Sequence, residues 1–242
     1  MNAAAPLLRT TGLSKRFGGH TAVSEVGIDI AQGEIHCLIG PNGAGKSTLF
    51  KLVVGMHEPT AGRIEFQGRD VTGDRPFRRV QQGMSIKMQT PSVFRELPVR
   101  QNLHIALQHH VRGAELAREE DRLLELLDLA RDQAKPAGAL AHGQQQWLEI
   151  GMAIALRPAL LLMDEPTAGL SPEETFRTGE LIRELNAGGM TVLAVEHDMD
   201  FVRQVASRVT VLHLGRVFAQ GTIEEIMADE RVAAIYLGEH HD

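Results

Sequence analysis

Gly40-Pro41-Asn42-Gly43-Ala44-Gly45-Lys46-Ser47 is a complete G-x-x-x-x-G-K-[ST] run, and Thr48 follows it. Residues 34–39 before it are apolar enough for a buried strand. Residues 45–54 read as a helix that stops at Gly55. Such a strand–loop–helix binds phosphate. Its glycines let backbone N–H groups wrap the anion, and the helix N-terminus adds partial positive charge. Lys46 would reach the β- and γ-phosphates of a nucleotide, and Ser47 would offer its hydroxyl to Mg²⁺.

A second chemical group lies downstream. Leu160-Leu161-Leu162-Met163 leads into Asp164-Glu165, an apolar run that ends in two carboxylates. A buried strand here puts Asp164 at its C-terminal edge beside the phosphate loop, where it would hold the water shell of Mg²⁺. Glu165, one residue further, is placed to polarise an attacking water as general base. An acidic strand end by itself says little; its meaning comes from the phosphate loop ahead of it.

These residues need a scaffold. Residues 7–13, 22–30 and 63–67 have strand-like alternation, the last as an exposed strand, and 84–88 form another strand. From Pro98 to Ala155 the pattern changes to helix, with segments at 99–110, 114–130 and 144–156. Strands return at 160–163, 191–195 and 209–214 with helices between them. Strand alternating with helix predicts a parallel sheet covered on both faces. The helical stretch reads as an insert in an α/β core.

Composition narrows the function. The 242 residues suit one sizeable domain with a subdomain, and 43% hydrophobic against 23% charged content is ordinary for a globular chain. A net charge of −6 argues against nucleic acid as a partner held by a basic face. Cys37 is the single cysteine, so no intramolecular disulfide forms, which fits a reducing compartment. No apolar run approaches a membrane span, and Met1–Pro6 lacks the pattern of a secretory signal. His240-His241 reads as a solvated tail.

Taken together, these motifs resemble the nucleotide-binding subunit of an ATP-binding cassette (ABC) transporter over essentially the whole chain, 7–242. The resemblance implies a P-loop NTPase (RecA-like) core over 7–97 and 156–242 with an antiparallel β subdomain, and a helical subdomain over 98–155. It implies that Gln89 senses the γ-phosphate and metal, that His197 is the switch histidine, and that Phe17 stacks on adenine. Leu140-Ala141-His142-Gly143-Gln144 stands where the family has its L-S-G-G-Q signature. The signature lies far from the phosphate loop in the chain, so it meets ATP only when a second ATPase subunit, identical or not, brings it across head to tail. Ala141 replaces the signature serine and His142 its first glycine. Ser171 stands where many relatives have aspartate, and Ser171-Pro172-Glu173-Glu174 also reads as a helix capping box.

Residues 142–152 and 231–238 are similar to one subgroup, the bacterial importers of branched-chain amino acids, with urea and amide relatives. That likeness implies transmembrane permease subunits, a periplasmic solute-binding protein acting indirectly, and a peripheral position at the cytoplasmic face of the inner membrane. A lipopolysaccharide-export ATPase and an iron–sulfur assembly ATPase are the alternatives. The loop 90–96, with Val93 and Phe94, is expected to dock the permease.

Overall fold

The computed structural model describes residues 5–89 and 92–237. The chain opens with a long antiparallel hairpin, β1 (Leu8–Phe17) and β2 (His20–Ile30), turning at Gly18-Gly19. A turn then leads into β3 (Ile35–Ile39), every residue of which is buried. The phosphate loop follows β3 and delivers the chain into α1 (Lys46–Val53). Next come β4 (Ala61–Phe66) and the two-residue β5 (Arg69–Asp70), which complete an antiparallel sheet in the order β2-β1-β4-β5. β4 is interior to this sheet, and its Ile64 and Phe66 are buried, so the exposed strand expected at 63–67 is half-buried.

A short helix absent from the sequence reading, α2 (Pro76–Gln81), precedes β6 (Met84–Lys87). Pro76 at its first position suits a helix start. The helical segment then runs α3 (Val99–Leu107), α4 (Ala114–Leu126) and α5 (His142–Ala155), with two 3-10 turns before α5. The remaining elements are β7 (Leu160–Asp164), α6 (Pro172–Ala187), β8 (Thr191–Val195), α7 (Met199–Val205), β9 (Arg208–His213), β10 (Arg216–Gly221), α8 (Ile223–Ala228) and α9 (Glu230–Leu237).

The main sheet runs β10-β9-β3-β8-β7-β6, parallel from β9 to β6. β10 breaks the expected all-parallel pattern by pairing antiparallel with β9 at the edge. The cause is local: Leu214 (φ 47) and Gly215 (φ 76) both sit at positive φ between paired His213 and Arg216. Two such residues turn a strand straight back on itself.

Each central strand alternates between two cores. Cys37, Leu161, Met163, Val192 and Ala194 face the helices α3–α7; Leu38, Leu160, Leu162, Leu193 and Val195 face α1 and the antiparallel sheet. Burial on both faces explains the unbroken apolar runs, each Leu or Val contributing roughly 1.5–3 kcal/mol. It also fixes the register, because a one-residue slip would exchange the cores. The functional loops leave the C-terminal ends of these strands. Cys37, in the middle of β3, is fully buried, and desolvation pushes its thiol pKa well above the ordinary range.

Candidate active site

The phosphate loop is shaped by two close approaches. Gly40 has φ 146, and a Cβ there would lie 2.2 Å from the Leu212 carbonyl oxygen. Gly45 has φ 101, with its Cβ position 2.5 Å from the Ala22 carbonyl oxygen. No side chain fits at either place. Gly45 is also the N-cap of α1 and brings no capping side chain, so the first-turn N–H groups are left for an anion rather than a cap. Gly215 N donates to Ala44 O at 3.0 Å and ties the loop to the β9–β10 turn. Lys46 folds over the loop, its Nζ donating to the carbonyls of Gly40 and Pro41. Asn42, Gly43 and Ser47 are exposed at the mouth, while Pro41 and Ala44 are buried beneath it and Thr48 is half-buried.

Asp164 ends β7 and Glu165 begins the next turn at φ 47, a left-handed conformation that costs a non-glycine residue energy. Glu165 N donates to Val195 O at 2.9 Å, which anchors the turn to β8. The strained step separates the two carboxylates, leaving Asp164 buried and Glu165 half-exposed. Burial, and then the Glu165 charge, raise the Asp164 pKa. Two carboxylates crowded at the mouth of a phosphate site favour a cation between them. Among the described residues there is no group of three His, Cys, Asp or Glu that could hold a metal alone. Mg²⁺ asks for no such cage: it binds one or two protein oxygens, phosphates and waters. Ser47, Asp164 and Gln89 therefore fit it as donors.

The structure brings Gln89 and His197 to Glu165. Gln89 Nε2 donates to Glu165 Oε2 at 2.7 Å, and His197 Nδ1 lies 3.9 Å from Glu165 Oε1. Sequence reasoning missed what holds them. Glu196 is fully buried and its carboxylate accepts four hydrogen bonds: Thr167 N (3.0 Å) and Oγ1 (2.7 Å) on one oxygen, His197 N (2.9 Å) and Asp198 N (3.3 Å) on the other. It joins the loop after Glu165 to the loop that carries His197. Its acidic type between an apolar strand and a histidine was the available signal.

A second missed residue is Arg79 on α2, also fully buried. Its guanidinium donates to the carbonyls of Leu52 (2.9 Å), Val53 (2.6 Å), Asp74 (3.0 Å) and Thr72 (3.1 Å), capping the C-terminus of α1. Burial lowers its pKa to about 10. Lys87, two residues before Gln89, and Glu149 on α5 are buried as well, and Glu149 is the first of the carboxylates acting on the Lys87 ammonium.

Phe17, at the end of β1, is 44% exposed, with its ring edge-on to His57 at 5.3 Å and Lys15 Nζ 5.1 Å from its centroid. An aromatic face so exposed is available for stacking.

The signature segment lies elsewhere. The phosphate loop packs on Ala22, Leu212 and Gly215, whereas the start of α5 packs on Ala168, Gly169 and Glu174. Ala141 is the N-cap of α5 but has no side-chain oxygen; Gln144 Oε1 accepts from Ala141 N at 3.2 Å, half of a capping box. His142 Nε2 lies 3.1 Å from Ala168 O and 3.3 Å from Gln146 Nε2 of its own helix. A Cβ on Gly143 would meet Glu174 Oε1 at 2.4 Å, so a side chain here would push the Glu174 carboxylate aside. Ser171 and Glu174 form the full capping box expected of them, at 3.2 and 2.9 Å.

In the loop toward the helices, Thr90 and Pro91 lie outside the described residues. Val93 packs on the core, while Phe94 is 48% exposed with its backbone gripped by buried Asn102. The expected apolar pair is split, one residue inward and one outward.

A family model described as ABC transporter matches residues 23–168. The chain belongs to this family. It is the ATP-binding, ATP-hydrolysing cassette of such a transporter, with the α/β P-loop fold expected. A second model, branched-chain amino acid ATP-binding cassette transporter, matches residues 216–242. Among curated relatives, the high-affinity branched-chain amino acid transport ATP-binding protein BraF of Pseudomonas aeruginosa is 35% identical, over 97% of this chain and 98% of that one. Among solved structures, the ADP conformation of MJ1267, an ATP-binding cassette of an ABC transporter, is 31% identical at a TM-score of 0.88, covering 96% of this chain and 98% of that one. The cassette MJ0796, solved as a dimer in a post-hydrolysis state bound to ADP and Pi, is 25% identical at a TM-score of 0.78, covering 89% and 98%. Among the described residues no helix of this cassette is long and apolar enough to cross a membrane.

Proposed function

We propose that this cassette energises uptake of branched-chain amino acids or related small solutes, as the peripheral ATPase on the cytoplasmic face of an inner-membrane importer. The C-terminal match and the BraF likeness support the substrate class. The geometry supports the chemistry, and one observation carries it: Gln89 and His197 converge on Glu165 at the strand ends beside the phosphate loop.

Residues 40–48 cradle the phosphates, and Phe17 stacks on the adenine. Glu165 takes a proton from the attacking water, Gln89 orients that water, and His197 contacts the γ-phosphate. Ser47, Asp164 and Gln89 would hold Mg²⁺, which would supply charge neutralisation to the phosphates. Ala141, His142, Gly143 and Gln144 complete the site of a second subunit, because in their own chain they lie away from the phosphate loop. The helical region 98–155 and the Phe94 loop face the permeases, with the solute-binding protein acting through them.

Uptake of labelled leucine in cells lacking this gene, restored by the wild-type chain and not by Lys46→Ala, tests the reading. Normal leucine uptake in the deletion strain, with loss of urea or amide uptake instead, would move the substrate class.

A further inference from the structure

Glu149 projects from α5, the helix whose N-terminus is the signature segment, into the loop that carries Gln89. Its Oε1 accepts the backbone N–H of Ser92 at 3.0 Å across 57 residues of sequence. The backbone N–H of Met88 faces the same carboxylate. These contacts flank Gln89 on either side. Glu149 is only 6% exposed, and its Oε2 makes no hydrogen bond among the described residues. Beside it Lys87, at the end of β6, is fully buried, and its Nζ likewise makes no hydrogen bond among the described residues. Glu149 is the first of the carboxylates acting on that ammonium, ahead of Glu196, Asp164 and Glu165.

A buried carboxylate near a buried ammonium is a poor device for holding a helix against a sheet, since apolar side chains of the same volume pack there at lower cost. What apolar side chains cannot do is accept backbone N–H groups. Asn102 on α3 grips the far end of the same loop in the same way, accepting from Phe94 N and donating to the carbonyls of Phe94, Leu97 and Pro98. The loop is thus held by polar side chains from α3 and α5. Its Gln89 in turn reaches Glu165.

We propose that Glu149 is a positioning residue for hydrolysis: by accepting the Ser92 backbone N–H it fixes Gln89 against Glu165 from the same rigid helix that presents the signature to a second subunit. One helix would then set the geometry of its own site and contribute to its partner's. The inference rests on the role given to Gln89 above.

A double-mutant cycle on the purified full-length chain tests it. Steady-state ATPase rates are compared for wild type, Glu149→Ala, Gln89→Ala and the double variant, with ATP affinity measured by fluorescent-nucleotide binding without Mg²⁺. Glu149→Ala is expected to lower kcat about tenfold, as a misplaced catalytic group does, with affinity within about twofold. In the Gln89→Ala background the same substitution is expected to change kcat no further. Glu149→Gln keeps the length and one oxygen acceptor, is expected to recover part of the loss, and supplies the same cycle if the alanine variant does not fold. Effects that multiply in the double variant, or a loss of affinity matching the loss of kcat, overturn the inference and leave Gln89's role standing. An unchanged rate in Gln89→Ala alone overturns the role of Gln89, and the inference with it.

Discussion

Gln89 Nε2 and Glu165 Oε2 are hydrogen-bonded at 2.7 Å, although 76 residues separate them and each leaves the end of a different strand, β6 and β7. The amide holds the carboxylate in place and leaves its other oxygen facing His197. Glu165→Gln puts an amide against this amide and removes the base. Turnover is expected to fall by about 10²–10⁴ with ATP binding retained, measured as phosphate release against nucleotide affinity. Hydrolysis at the wild-type rate would remove Glu165 from the base position.

Glu196 accepts from four donors at once, and no other side-chain type does so in that volume. Glu196→Gln must turn its NH₂ toward either the Thr167 or the His197–Asp198 donors. We expect a loss of about 1.5–3 kcal/mol of stability and a slower ATPase, because Thr167 and His197 lose their common anchor. Chemical denaturation and steady-state rates would show both; an unchanged rate would mean that the anchor is not needed for turnover.

Arg79 caps the α1 carbonyls from a helix that packs beside it. Arg79→Met keeps bulk but takes the guanidinium donor from the carbonyls of Val53, Thr72 and Asp74, while Leu52 O keeps the Gly55 N–H. It should cost about 3 kcal/mol or more, and it should weaken ATP binding because α1 carries the phosphate loop. Thermal unfolding with and without ATP checks this, and a Tm unchanged within error would contradict it.

Burial raises the Glu149 pKa from 4.5 to about 7, against the opposing pull of Lys87 and the backbone N–H groups. Between these values the folded protein binds more protons than the unfolded chain. The contribution of Glu149 is therefore greatest below pH 4.5 and is lost as pH rises through about 7. Lys87, whose pKa is lowered by its own burial, gives the opposite slope toward its ordinary range. Glu149→Gln removes the acidic titration, so its Tm relative to wild type should climb between about pH 5 and 8, by the equivalent of roughly 3 kcal/mol at most. A difference flat across that range would show that Glu149 does not titrate there.

His142 is committed to the Ala168 carbonyl of its own chain, which leaves the missing hydroxyl at Ala141 without a substitute from that ring. Ala141→Ser in a Glu165→Gln background should tighten ATP-driven dimerisation by about tenfold, the worth of roughly 1.4 kcal/mol. Adding His142→Gly should leave that gain intact. Sedimentation equilibrium gives the constants; no change from Ala141→Ser would place this segment away from the nucleotide.

Much of the site was legible because its information is local. A glycine loop between strand and helix, an apolar strand ending in Asp164-Glu165, and a capping box at Ser171 each need only neighbours in sequence to take shape. The amphipathic helices and the alternation of strand with helix in the core followed from periodicity in the same way. The β9–β10 hairpin escaped because Leu214 occupies a positive-φ position that residue type does not advertise. The pairing of Gln89 with Glu165, the four donors on Glu196, the Arg79 cap and the Lys87–Glu149 group belong to the tertiary structure alone. A buried charge is tolerated only where the folded chain assembles its partners, and those partners come from strands and helices far apart in sequence.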